Sequence, residues 1–144
     1  MKKLVIVLLM LITMVGLQAQ IITDNPRIDY PYRSSGGFQS NIQRIAVDED
    51  YTYVFFECIV PRRCQGCWIS LNSNTLLTAA DGSQTLRVIE WGVINESDAP
   101  SSLNFNEQYS VKNDRRYVLY MLFPRLKSGI TKINIVERSS NGSE

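Results

Sequence analysis

The chain reads as an all-β protein, a sandwich or barrel of seven or eight short antiparallel strands. Three observations predict it. Runs dense in β-branched and aromatic residues recur along the chain, most clearly at Tyr51 to Val60 and Arg115 to Phe123. Turn-forming clusters separate them at intervals of about ten residues. Nothing beyond the amino-terminal apolar run carries the spacing of an amphipathic helix.

The first element is a leader. Lys2 and Lys3 precede an apolar run from Leu4 to Leu17, which closes on Gln18, Ala19 and Gln20. That layout predicts a secretory signal peptide over residues 1–19. The run is shorter than the roughly 20 apolar residues that cross a bilayer, and it holds Thr13 and Gly16, so cleavage rather than anchoring is expected. The mature chain is then exported, periplasmic or secreted, with no membrane segment of its own. Residues 20–40 hold Pro26, Pro31 and the Ser34, Ser35, Gly36, Gly37 run, which predict an extended or mobile arm.

A single domain is expected over residues 41–137, enough chain to bury a core of its own. Ile42 to Val47 alternate as a first strand, and the acidic run Asp48, Glu49, Asp50 turns the chain. Tyr51 to Val60 is the strand with the strongest residue preferences. Pro61 to Gly66 form a turn, and Cys67 to Leu71 continue as a strand. Thr75 to Thr78 suit a short edge piece, followed by the tight-turn pair Asp81 and Gly82. Thr85 to Trp91 alternates as one strand. Asn95 to Asn106 is polar, contains Pro100 and reads as a loop, before a short strand at Gln108 to Val111. Arg115 to Phe123 is apolar on both faces, as a central strand covered on both sides would be. Pro124 to Gly129 turns, Ile130 to Val136 makes the last strand, and 138–144 is a polar tail. Trp68, Trp91 and the tyrosines sit within apolar strands and are expected in the core.

Charge and composition exclude several function classes. The formal charge is +1 and falls close to neutral once Lys2 and Lys3 leave, which argues against a nucleic-acid partner. There is no histidine. That removes Ser-His-Asp and Cys-His nucleophilic catalysis and the common His-containing zinc sites.

The order of Asn41-Ile-Gln-Arg-Ile, Tyr51-Thr-Tyr-Val-Phe-Phe, Gly66-Cys-Trp-Ile-Ser, Leu86-Arg-Val-Ile-Glu-Trp-Gly-Val and Leu122-Phe-Pro-Arg-Leu-Lys-Ser-Gly-Ile-Thr-Lys-Ile-Asn-Ile-Val-Glu resembles small immunoglobulin-like sandwich modules of exported Bacteroidetes proteins. The resemblance spans roughly residues 41–137. It implies a single immunoglobulin-like antiparallel sandwich of about seven strands and an exported location. It carries over no catalytic residue.

Cys58, Cys64 and Cys67 are the three cysteines of the chain. Cys64 and Cys67 have the spacing of a redox-active dithiol, in which one thiolate attacks and the other resolves the mixed disulfide. Arg62 and Arg63 would favour the Cys64 thiolate. A thioredoxin-type site asks for a βαβ context, whereas this pair falls between two expected strands, so a structural staple competes with the redox reading. Three single bridges are open, 58–64, 58–67 and 64–67, and each leaves one thiol over. Three thiols without histidine do not complete a zinc site, and the Asp48 to Asp50 run lacks the spacing and glycine of a calcium loop. No metal, cofactor or catalytic residue is therefore expected.

Arg62, Arg63 and Gln65 form the candidate recognition loop, with Asn95 to Asn106 as a second loop surface. Arg115 and Arg116 make a second basic pair. The function these features predict is an exported, non-enzymatic β-sandwich binding or accessory module whose partner is a protein or a glycan. Two competing readings are a periplasmic thiol–disulfide protein using Cys64 and Cys67, and an assembly subunit pairing through edge strands or the odd cysteine.

Overall fold

The computed structural model describes residues 21–28 and 38–137. The expected signal peptide at 1–19 and polar tail at 138–144 lie outside them, as does the 29–37 stretch of the expected arm. Within the described residues the chain is all-β, every strand pair is antiparallel and no helix occurs.

The strands are β1 (Ile21–Asp24), β2 (Gln39–Val47), β3 (Tyr51–Ile59), β4 (Trp68–Ile69), β5 (Leu76–Ala79), β6 (Thr85–Arg87), β7 (Glu90–Ile94), β8 (Pro100–Leu103), β9 (Tyr109–Ser110), β10 (Arg116–Pro124) and β11 (Ile133–Val136). They form a six-stranded sheet in the order β1-β2-β3-β10-β7-β8, a three-stranded sheet β11-β5-β6 and a two-stranded ribbon β4-β9. The centre of the large sheet is β3 beside β10, paired over their whole lengths from Tyr51↔Pro124 to Ile59↔Arg116. These are the two runs richest in strand-forming residues, and a central position satisfies both of their hydrogen-bonding edges.

Alternation along β3 sends Thr52, Val54, Phe56 and Cys58 to one face and Tyr51, Tyr53, Phe55 and Glu57 to the other. The first face meets the core. Val54, Trp91, Met121 and Phe123 from the large sheet pack with Leu77 and Leu86 of the three-stranded sheet, backed by Ile133 and Ile135, while Ile69 and Tyr109 reach in from the ribbon. Two threonines lie in this interior with no exposure, Thr52 and Thr75. Each has a partner: Thr52 Oγ1 accepts from Leu126 N at 2.8 Å, and Thr75 Oγ1 donates to Asn72 O at 2.8 Å.

Several sequence expectations change. Thr85 to Trp91 is two strands rather than one. Val88 N donates to Thr75 O at 3.0 Å, and the next amide, Ile89 N, donates to Leu122 O at 2.7 Å. The chain leaves the three-stranded sheet and joins the six-stranded one between these two residues. Simple alternation cannot reveal such a change of partner. Val88 stays buried while Ile89 is 47% exposed.

Asn95 to Asn106 is not all loop, because β8 pairs with β7 from Ile94↔Pro100 to Trp91↔Leu103. Pro100 opens an edge strand, where its missing N–H costs no ladder bond. The hairpin is closed by Asn95, whose Oδ1 accepts from Ser97 N at 3.0 Å and Ala99 N at 3.1 Å. The strand expected at Cys67 to Leu71 shortens to Trp68–Ile69, and β5 is the middle strand of its sheet rather than an edge. Ile21–Asp24, inside the expected arm, pairs with β2 from Ile21↔Val47 to Asp24↔Arg44.

One glycine is fixed by close packing. A Cβ on Gly92 would stand 2.1 Å from Ser101 O, so any larger residue would push β8 away from β7. The turn after β10 joins the layers: Lys127 N donates to Gln84 Oε1 at 2.9 Å and Gln84 Nε2 donates to Arg125 O at 3.1 Å.

A disulfide-closed loop as the candidate functional site

The chain leaves β3 at Ile59, rounds the end of the large sheet and enters β4 at Trp68. This connection contains most of the residues singled out from the sequence. Cys64 and Cys67 are bridged, with Cα atoms 5.7 Å apart, and Cys58 is the free thiol. Of the three pairings left open by the sequence, 64–67 is the one formed. Only two residues separate the bonded pair, and the loop reverses within them by placing Gly66 at φ +63, a conformation that disfavours a side chain.

Backbone contacts hold the loop against the segment that leads into β10. Val60 N donates to Arg115 O at 2.9 Å, Asp114 N to Pro61 O at 3.3 Å, and Val111 N to Cys67 O at 2.9 Å. The β4–β9 ribbon continues the contact through Trp68↔Ser110 and Ile69↔Tyr109. Arg62 Nε donates to Asp114 Oδ1 at 3.3 Å, an exposed pair with 86% and 66% side-chain exposure that adds little energy. The two sulfurs differ in access: Cys67 is 7% exposed, whereas Cys64 is half-buried among exposed neighbours Arg62, Arg63, Gln65 and Gly66.

The basic pairs of the sequence come together here. Arg115 directly precedes β10, Arg116 opens it beside the end of β3, and Arg116 Nη1 donates to Glu57 Oε1 at 3.3 Å. Lys112 N donates to the Tyr117 hydroxyl at 2.9 Å, which pins the same turn. Trp68, expected in the core, is 47% exposed next to the bridge; Trp91, also expected there, is 1% exposed. The reason is length: β4 has two residues, and Ile69 takes the inward position. Trp91 instead stands edge-on to Tyr109 at 5.9 Å and donates its Nε1 to Asn104 O at 3.2 Å.

Cys58 is remote from this chemistry in kind. It lies on the core-facing side of β3, 4% exposed, opposite Ser40 and Tyr117 in the ladder. Burial pushes its thiol above the ordinary value, an effect opposed by a hydrogen bond with Ser40, so it behaves as a small apolar residue. The acidic run makes the β2–β3 turn. Asp48 Oδ1 accepts from Tyr51 N at 2.7 Å and Asp50 N at 2.8 Å, and these two backbone donors hold its carboxyl below the usual value. Among the described residues no group of three or more His, Cys, Asp or Glu could hold a metal ion.

One surface corrects the expectation that the tyrosines lie in the core, since Tyr51 is 39% exposed. The outer face of the large sheet carries an aromatic row, with Tyr51 and Tyr53 centroids 6.5 Å apart and Tyr53 and Phe55 stacked at 6.3 Å. Beside it Tyr120 Oη donates to Glu90 Oε1 at 2.6 Å, and Tyr120 is only 5% exposed. The signal was present in the sequence as apolar residues on both faces of Tyr51 to Val60, but alternation alone does not say which face meets the core. Compared with protein-family models, curated proteins and solved structures, the chain matches none of them.

Proposed function

We propose that this chain is an exported, non-enzymatic binding or accessory module of the immunoglobulin-like sandwich type, and that it recognises a protein or glycan partner through the Pro61 to Trp68 loop. One observation carries the reading: the loop is fixed at both ends yet displays its side chains to solvent. Backbone hydrogen bonds at Val60, Pro61 and Cys67 and a covalent bridge restrain it, while Arg62, Arg63, Gln65 and Trp68 are exposed. A restrained loop loses less conformational freedom on binding, and Trp and Arg are the side chains that contribute most at recognition surfaces. The bridge suits an oxidising compartment, which agrees with the leader read from the sequence.

The test is retention of the purified chain on an envelope extract of its producing organism. Arg63→Ala and Trp68→Ala should each abolish a retention that Arg87→Ala, on the three-stranded sheet, leaves intact. Equal retention of all three variants would remove the loop from recognition.

A further inference from the structure

We propose that Cys64–Cys67 is an exchangeable disulfide, attacked at the Cys64 sulfur by the thiolate of a low-molecular-weight thiol. The geometry points to one direction of attack. Cys64 is the less buried residue of the pair, and its neighbours Arg62, Arg63, Gln65 and Gly66 are all exposed. Cys67 is 7% exposed and tied to the turn before β10 through its own carbonyl. An incoming thiolate is therefore expected to meet the Cys64 end of the bond first.

The chemistry balances in two steps. A thiolate RS⁻ bonds to Cys64 Sγ, the Sγ–Sγ bond breaks, and its electron pair leaves on Cys67, which takes a proton. A second thiolate then attacks the sulfur of the bound RS group. RSSR departs, and Cys64 is released as a thiolate in a loop that carries the exposed cations Arg62 and Arg63, whose charge favours the thiolate form. Two thiols are oxidised to one disulfide and the protein bridge is reduced to a dithiol. Cys67 stays held by the ladder that begins at Trp68, while Gly66 at φ +63 gives the short Gln65–Gly66 link its pivot. The reverse reaction needs only that Cys67 attack a mixed disulfide on Cys64, three positions away.

This activity does not depend on the loop recognising a partner, since a loop that bound nothing would still exchange at Cys64. The experiment uses the full chain and 2-mercaptoethanol, an uncharged thiol that the arginines cannot steer. Rates are read by quenched alkylation, intact mass and peptide mapping. The wild-type bridge should open without denaturant. In Cys67→Ser, Cys64 should form the mixed disulfide with 2-hydroxyethyl disulfide. In Cys64→Ser the remaining Cys67 should react at least about tenfold more slowly. Arg63→Glu should slow the reaction of Cys64 in the Cys67→Ser background by disfavouring its thiolate. Far-UV circular dichroism checks that each variant keeps its sheets. A bridge that opens only in denaturant would overturn the proposal, and so would equal rates at Cys64 and Cys67.

Discussion

The backbone N–H of Leu126 donates to the hydroxyl of Thr52 at 2.8 Å, in an interior where Thr52 has no exposure and Leu126 only 8%. The two residues belong to the start of β3 and to the turn that follows β10. A polar side chain in the core thus supplies an acceptor for an amide that has left the ladder. Thr52→Val keeps the shape and removes the acceptor, so stability should fall by about 1–3 kcal/mol. Thr52→Ser keeps the oxygen and should cost less. Urea midpoints of the three proteins decide the matter.

Gly92 gives a second prediction. Its Cβ position is 2.1 Å from the Ser101 carbonyl oxygen, so Gly92→Ala must separate β7 from β8. The expected loss is about 1–3 kcal/mol, as for other overpacked sites. Amide exchange should accelerate first at residues 101–103 of β8 and leave the β3–β10 ladder protected.

Tyr120 predicts the alkaline limit. Burial, then the hydrogen bond to Glu90 and its charge, raises this phenol above its ordinary value of 10.0. The unfolded chain gives up the proton at lower pH than the folded chain does. The contribution of Tyr120 is therefore complete below about pH 10 and declines as pH rises beyond it. Tyr120→Phe should be less stable at neutral pH, yet should show a flatter fall between about pH 9 and pH 11. Urea midpoints measured across that range test both parts.

Closing so short a loop restricts the unfolded chain modestly. Cys64→Ser should lower stability by ~2 kcal/mol in the absence of reductant. Addition of a strong reductant should bring the wild type down to the same level. Arg62→Ala, which removes only the exposed pair with Asp114, should change stability by less than about 1 kcal/mol.

Thiol counting gives the last prediction. Folded, unreduced protein should take up no alkyl group, because Cys58 is buried and the other two cysteines are bonded. Unfolding without reductant should admit one group, and peptide mapping should place it on Cys58. A group on Cys64 or Cys67 would contradict the observed pairing.

Much of the β-structure was legible because it follows from side-chain chemistry. Tyr51 to Val60 announces a strand by its aromatic and β-branched residues, Arg115 to Phe123 a central strand by its apolar residues on both faces, and the two pair with each other. What was missed depends on partners distant in sequence. The amides of Val88 and Ile89 answer to different sheets, and neither residue type records that. Pro100, Ser101 and Ser102 are poor strand formers that become a strand because β7 offers them an edge. The bridge was legible as a spacing, since Cys64 and Cys67 lie within one turn, but its choice over Cys58 depends on Cys58 facing the core. Trp68 stayed outside because its strand is two residues long, a length set by the loop before it.

The pairing of β3 with β10 also orders events in time. Tyr51 meets Pro124 and Ile59 meets Arg116, so the middle of the sheet joins chain segments made far apart. At about 5–20 residues per second of synthesis, β3 emerges several seconds before its partner exists. During that interval it has β2 on one edge and nothing on the other, and the core it faces is still missing Met121 and Phe123. The principal sheet therefore cannot close until β10 is present, so its completion is a late step in folding wherever that folding takes place.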